Sequence, residues 1–547
     1  MEVASHALPG PRVTTLPVRR GWILFAVVLG SGVVFLDATV VNVALQTIGR
    51  DLPATALGRL EGLTYVASGY LVVLAALLVL AGALGDAFGR RRVFAIGLVA
   101  FGITSVACGL APTLEALVIS RLAQGAAGAL LVPQSLAIIA ATWDGEERGR
   151  AIGIWAAATS AITIAGPLVG GLLVQAVSWR AVFLINVPIV ALGAYGLRYV
   201  PESRDEHATG RFDWLGAAVI AVGVGGLAFG ATRGEQQRWQ DPTAFLAIAA
   251  GAAAVALFPS LLRRRRDPLV PLDLFRNRAF SAINLSTFVI YGALYVNLAF
   301  QQLFLQGVLD YSPTAAALAL LPAAILLTLG SMRAGRLAGR LGARRFLVAG
   351  PLLMAAGLLY LARVPSTSGA WPAAPGDPAS LLPPAGYLVD ILPGQLLYGI
   401  GLALLVAPLS TALMASVPSR RAGIASAINN AVSRAGAPLV SALLFIALSA
   451  TFYPALASLV PGLDVSAPAF RAAVQPLTPP DPGLGSAVAG AAREASTTAF
   501  HLAMVITAAL LAVGAAINRI GLRPGAPGVA EDEAPQPAVD VSLSSSA

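Results

Sequence analysis

Fourteen separate stretches of mostly apolar residues run through this chain, at roughly 22–45, 60–83, 93–111, 115–140, 151–175, 181–200, 214–232, 243–262, 281–305, 314–333, 346–363, 387–412, 423–450 and 498–518. A helix needs about 20 such residues to cross the hydrocarbon core of a bilayer. Inside lipid every backbone N–H and C=O must be satisfied within the protein, which leaves helices as the economical spanning element. The pattern therefore predicts an all-α polytopic membrane protein of 14 transmembrane helices. Composition agrees: 12% of residues are charged and the mean hydropathy is +0.77, against about 25% charged in soluble domains. Met1–Arg20 is polar and precedes a run too long for a signal-peptide core, so the first span reads as an uncleaved anchor.

Fourteen spans place both termini on one side, and charge says which. All 36 basic residues are arginine. With a cytoplasmic N-terminus, 26 fall in inner loops or at inner ends, 8 on the outer side, and two, Arg121 and Arg434, within spans. Such asymmetry is the positive-inside signal, and it predicts a multi-pass protein of a cell membrane, bacterial in type, with both termini cytoplasmic. The net charge of +9 follows from these short loops and does not imply nucleic acid. The sequence predicts a cytoplasmic segment 1–21, a six-helix bundle 22–200, an inserted helix pair 214–262, a second six-helix bundle 281–518 and a disordered acidic tail 524–547. Residues 365–384 and 451–497 read as outer loops, with SAVAGAAREAS inside the latter as a short helix.

Several classes of chemistry are excluded. One cysteine, Cys108, and three scattered histidines offer neither a disulfide framework nor a metal cluster nor a catalytic triad. No GxxxxGK[ST] loop is present, so energy is expected from an ion gradient. No cofactor, no metal and no enzymatic reaction are expected. The expected partners are a small-molecule substrate, protons and the lipid bilayer, with the chain acting as a monomer.

An internal repeat organises the rest. GALGDAFGRRR at 82–92 aligns without gaps to GRLAGRLGARR at 335–345, GAAGALLVP at 125–133 resembles GIGLALLVAP at 399–408, and GPLVGG at 166–171 resembles GAPLVS at 436–441. Repeated halves about a pseudo-axis are a transporter architecture with the substrate site near the midplane.

These strings resemble the major facilitator superfamily, and within it the fourteen-span drug–proton antiporters, over nearly all of Trp22–Arg519. LDATVVNVALQ at 36–46 resembles the first-span signature, with Gln46 where proline is usual. GALGDAFGRRR resembles the gating-loop signature and places Gly82, Gly85, Asp86, Gly89, Arg90 and Arg91 in it; Gly339 stands for the aspartate in the second copy. RLAQGAAGA at 121–129 resembles the fourth-span signature with its buried arginine. IAGPLVGG at 164–171 resembles the fifth-span antiporter signature, carried by Gly166, Pro167, Gly170 and Gly171. The resemblance implies proton-coupled export of hydrophobic or cationic drugs or antibiotics by alternating access. An importer or proton symporter of the same fold is the alternative.

Two charges carry the expected mechanism. Asp37 lies roughly 22 Å into the first span, and Arg121 sits at a similar depth in the fourth, which runs the other way. A carboxylate at membrane depth marks a functional site. Burial favours its neutral form and a nearby arginine its charged form, so a change of access that alters either loads or releases a proton. A permanent structural ion pair is the competing reading. Asn42, Gln124, Tyr291, Asn297, Gln301 and Arg434 are polar or charged positions within spans and are expected to line the substrate cavity. For Asn42 and Gln124, a role as helix–helix glue is equally open.

Overall fold

The computed structural model describes residues 17–53, 59–204, 212–237, 241–265, 268–374, 377–467, 470–471, 474–478 and 485–523. Residues 1–16 of the expected N-terminal segment, and the whole of the expected 524–547 tail, lie outside the described residues. Among the described residues, fourteen helices are long and apolar enough to cross a membrane: α1 (Arg20–Leu45), α2 (Tyr65–Phe88), α3 (Arg90–Gly109), α4 (Leu114–Thr142), α5 (Gly145–Val174), α6 (Ala181–Tyr199), α7 (Trp214–Gly234), α8 (Pro242–Arg263), α9 (Arg278–Gly307), α10 (Pro313–Leu341), α11 (Ala343–Leu361), α12 (Tyr387–Ala415), α13 (Ser419–Leu459) and α14 (Ser486–Gly521). Each coincides with one apolar stretch of the sequence.

The differences lie at ends and breaks. The outer loop expected at 451–497 shrinks, because α13 continues to Leu459 and α14 begins at Ser486. SAVAGAAREAS is the first part of α14, not a separate helix. Alanine-rich ends extend helices readily, and the proline-rich stretch Pro461–Pro482 confines the loop. The fourth span consists of two helical segments, Leu114–Ala129 and Val132–Thr142. Pro133 lacks the N–H that would continue the ladder. The sixth passes through Ile185, between Ala181–Leu184 and Asn186–Gly196, with helical dihedrals of −60° and −25°; Pro188 has no N–H for the Leu184 carbonyl.

The repeat is visible in the backbone. Gly89 and Gly342, 253 residues apart, both adopt positive φ, 107° and 82°. There each chain reverses in one residue from α2 to α3 and from α10 to α11, a conformation only glycine adopts without strain. The halves then meet through two equivalent helix pairs. In α2–α13, a Cβ on Gly82 would lie 2.6 Å from the Gly423 carbonyl oxygen. In α5–α10, a Cβ on Gly149 would lie 2.6 Å from the Gly335 carbonyl oxygen. Glycine-to-glycine contact brings the backbones together where lipid offers no hydrophobic driving force. Both contacts lie at the end carrying the arginine-rich loops.

Helices α7 and α8 pair through glycines of their own: a Cβ on Gly230 would lie 2.6 Å from Ala244 O, and one on Gly226 2.9 Å from Ala247 O. Helix α7 also rests on α2, where Gly225 meets Ala76 and the Arg233 Nη1 donates to Tyr65 Oη at 2.8 Å.

Candidate functional site

Two intramembrane charges the sequence singles out, Asp37 and Arg121, are in contact. The Arg121 Nη1 donates to Asp37 Oδ2, with the carboxylate fully buried and the guanidinium 1% exposed. Arg121 also donates from Nε to the Val66 carbonyl at 3.0 Å and from Nη1 to Gln124 Oε1 at 2.7 Å. The other carboxylate oxygen, Oδ1, accepts from Gln124 Nε2 at 3.0 Å and from Asn186 Nδ2 at 2.9 Å. Ser105 Oγ accepts from the same two amides, at 2.8 Å and 3.2 Å. The site thus draws on α1, α2, α3, α4 and α6, and among the described residues every hydrogen-bond partner of the carboxylate is a donor.

Asn186 and Ser105 do not stand out from the sequence. Asn186 follows Ile185 in α6, inside WRAVFLINVP, and its amide reaches Asp37 from there. Its own carbonyl oxygen, Oδ1, is buried with no hydrogen-bond partner among the described residues. An amide side chain in the middle of an otherwise apolar membrane span is the signal that would have flagged it.

Tyr70 separates this cluster from the interior space. Its hydroxyl donates to the Val34 carbonyl at 3.0 Å, its ring lies 4.2 Å from the Arg121 guanidinium carbon, and it forms part of the wall of a central cavity of about 580 Å³. The cavity lies between the two halves. Of the residues expected to line it, Tyr291, Gln301 and Arg434 do. Gln124 does not: it is fully buried behind Tyr70, its amide bonded to Asp37 and Ser105. Asn42 is exposed on α1 one turn beyond the carboxylate, where its amide turns back to Ala38 O. Asn297 is buried one turn from Gln301, whose Nε2 donates to it at 2.9 Å, so it supports the wall without lining it. Gln395, Asn429 and Trp155 line the cavity and were not anticipated. The alternating pattern of polar positions along a span does not distinguish which of several inward faces borders open space.

At the arginine-rich end, Asp86 reaches from α2 across to the opposite half. Its Oδ1 and Oδ2 accept from the Gly423 N–H at 3.1 Å and the Ile424 N–H at 2.7 Å, in the first turn of the α-helical part of α13, which starts at Ala422 after the 3-10 turn Ser419–Arg421. A helix N-terminus presents unpaired N–H groups and a partial positive charge, which favour a carboxylate. Arg90 completes the junction. It donates to Asp86 from Nε at 2.9 Å and Nη2 at 2.8 Å, and from Nη2 to the carbonyls of Ser419 and Arg420 at 2.5 Å and 2.9 Å. Gly85 is required because a Cβ there would lie 2.0 Å from the Gln134 side-chain oxygen. The backbone N–H groups of Arg91 and Arg92, at the start of α3, donate to the Glu202 carboxylate at 3.0 Å and 3.2 Å. At the equivalent place in the second half, Gly339 lies beside Glu146 in the first turn of α5, and Arg340 pairs with Glu146 at 2.7 Å.

The fifth-span glycines divide. A Cβ on Gly166 would lie 2.0 Å from Thr39 Oγ1, and one on Gly170 2.8 Å from Val40 Cγ2, so both are needed for α5 to seat on α1. Gly171 meets nothing closer than 4.0 Å. Pro167 has no N–H for the Thr163 carbonyl four residues earlier; the Thr39 hydroxyl lies 3.3 Å from that oxygen.

Residues 27–442 match the family model of the Major Facilitator Superfamily. The chain is 36% identical over 444 residues to the multidrug resistance protein Stp of Mycobacterium tuberculosis, covering 80% of this chain and 78% of that one. It is 32% identical over 449 residues to the puromycin resistance protein of Streptomyces alboniger, covering 81% and 83%. The solved structure of the proton:xylose symporter XylE aligns with a TM-score of 0.54 at 17% identity, over 89% of this chain and 94% of that one, a likeness of fold. By fourteen apolar helices, a repeated pair of halves around a cavity and these matches, the chain belongs to the Major Facilitator Superfamily of small-molecule membrane transporters.

Proposed function

We propose that this protein is a proton-coupled antiporter that exports drug- or antibiotic-like small molecules across the cell membrane by alternating access, as a monomer with both termini cytoplasmic. The resistance and export names of its relatives support the cargo class. The observation that carries the coupling is the Asp37 carboxylate, buried at membrane depth beside the cavity wall and ringed by donors. Protonation turns one of its oxygens into a donor, which needs an acceptor. Asn186, whose Oδ1 lacks a partner, supplies one by turning its amide. The proton thereby exchanges one arrangement of α1, α4 and α6 for another, and the six-helix bundles 22–200 and 281–518 rock as bodies, carrying the pair 214–262 with them.

The junction of Asp86 and Arg90 with α13 serves as the latch of the state closed toward the arginine-rich face. Gly82, Gly85, Gly89 and Arg91 shape the turn that presents it. Gly166, Pro167 and Gly170 keep α5 tight on α1, so that movement at Asp37 is transmitted to the α5–α10 contact. Gly171 continues the small-residue face.

The experiment is counterflow in proteoliposomes: an imposed pH gradient drives movement of Nile red, a neutral drug-sized dye, while an entrapped pH indicator reports protons. Opposite movement of the two, lost in Asp37→Asn, is expected. Movement of Nile red and protons in the same direction establishes the symport alternative, and movement without protons refutes coupling.

A further inference from the structure

We infer that the central cavity is built for an amphipathic organic anion whose acid group binds Arg434, an assignment that rests on the export reading and names its cargo. Among the described residues that line the cavity, Arg434 alone carries a charge; no aspartate or glutamate faces the space. An arginine at membrane depth ordinarily finds a counter-charge. Arg434 lies in the fourth turn of α13, and among the described residues no carboxylate pairs with it. The nearest buried carboxylate of the half opposite, Asp37, is spent on Arg121, Gln124 and Asn186 behind Tyr70.

The amides of the wall are committed to neighbouring groups. Gln395 donates to Gln301 at 2.5 Å, and Gln301 to Asn297 at 2.9 Å. Asn429 donates to Asn284 and Thr287 at 3.2 Å and 2.9 Å. Asn430 donates to Ser426 O at 2.9 Å and Ser433 to Asn430 O at 2.8 Å. Neutral hydroxyls remain, among them that of Tyr398, which has no hydrogen-bond partner among the described residues; the charged group that remains is the five-donor fork of Arg434, whose planar geometry suits a carboxylate or an acidic phenol. The other half lends the wall apolar Val34, Phe35, Leu71, Leu74 and Leu136 together with the neutral hydroxyls of Thr39, Thr159, Ser160 and Thr163. The volume, about 580 Å³, suits a drug-sized ring system. A cationic drug meets no carboxylate here and a like charge instead, which an enclosed low-dielectric space makes more costly than water does. The hydrophobic and cationic classes that the sequence resemblance implies thus separate: the wall accepts the first and opposes the second.

Three probes of one body test this: 1-pyrenebutyrate, 1-pyrenebutanol and 1-pyrenebutylammonium, titrated onto the purified full chain in detergent. Energy transfer from tryptophan, including Trp155 in the cavity wall, reads binding. The acid is expected to bind at least tenfold more tightly than the alcohol, the ammonium more weakly than either. Arg434→Gln should abolish that tenfold advantage and leave alcohol affinity unchanged, and Arg434→Lys should keep part of it. Should Arg434→Gln fail to fold, Asn430→Asp is the second variant: it sets a carboxylate one helical turn from Arg434, at pairing distance, and should lower affinity for the acid and raise it for the ammonium. Wild-type preference for the ammonium, or equal loss of acid and alcohol affinity in Arg434→Gln, overturns the assignment. Efflux of the bound acid from proteoliposomes is the separate arm. Selective binding without flux refutes the export reading and supports the anion site; flux of the ammonium without selective binding does the reverse.

Discussion

Replacing Asp37 with asparagine is usually regarded as a minimal change, since only charge and one atom differ. In this site it is not. Oδ2 receives Arg121, and Oδ1 receives both Gln124 and Asn186. An asparagine keeps one oxygen and must aim an NH2 group at donors whichever way it turns. Keeping the oxygen toward Arg121 is cheaper, because Asn186 can then turn its partnerless Oδ1 to accept from the new amide. The guanidinium, 1% exposed, still loses its counter-ion. Removing one partner of a buried pair costs roughly 3–5 kcal/mol, and the single hydrogen bond that Gln124 loses adds about 1 kcal/mol. Asp37→Asn is therefore expected to destabilise the fold by about 4–6 kcal/mol as well as to stop proton exchange. Arg121→Gln should cost about as much alone, and the double variant less than the sum by about 2–3 kcal/mol. Unfolding of the four proteins in mixed micelles of increasing SDS, followed by tryptophan fluorescence, measures the cycle. Wild-type stability of Asp37→Asn, or strict additivity, refutes the reasoning and leaves the two residues as neighbours without energetic coupling.

Other expectations follow from the same geometry. Asp86→Asn loses the charged cap on α13 and the Arg90 pair, weakening the latched state by about 2–3 kcal/mol, roughly 30–150-fold in its ratio to the open state; a Ser160→Cys reporter in the cavity, in a chain whose Cys108 is replaced by alanine, should then label faster from the arginine-rich side, and an unchanged rate removes Asp86 from gating. Gly170→Ala should destabilise by about 1–3 kcal/mol through overpacking against Val40, while Gly171→Ala should be close to neutral; equal effects in a melting experiment contradict the division between the two glycines. If the cargo is a monoanion exchanged one for one with a proton, two charges move per cycle, so about 4.6 kcal/mol is available per 100 mV; potassium–valinomycin potentials imposed without a pH gradient should drive uptake into proteoliposomes of matching polarity, and indifference to potential excludes this stoichiometry.

The architecture is legible in the sequence because lipid leaves so few options. Fourteen apolar runs map onto fourteen helices, and the doubled GALGDAFGRRR string maps onto two glycine turns of positive φ. Asp37 and Arg121 are legible as a pair because two charges at one depth must meet. Asn186 is not, since its importance comes from contacts with Asp37 and Ser105 on two other helices, which the apolar window around it conceals. Gln124, read equally as cavity lining or helix glue, shows the other limit: its helical phase points it inward, and only the position of the Tyr70 ring decides that inward means the ion pair and not the cavity. The loop 451–497 was overestimated because alanine and serine positions at helix ends carry no hydropathic mark of their own.

The Tyr70 partition has a consequence for what such a protein can evolve to carry. Cargo and carboxylate occupy different rooms with one aromatic door between them, held by the Val34 carbonyl on one edge and the Arg121 guanidinium on its face. A compound in the cavity does not touch the group that binds the proton. It influences that group only by favouring one tilt of the helices over another. The cavity-lining residues on α9, α12 and α13 can then drift with each new compound encountered, while the side chains that hold the proton site stay as they are; α1, α2 and α4 lend the wall other residues than those. Substituting the cargo wall need not detune the engine.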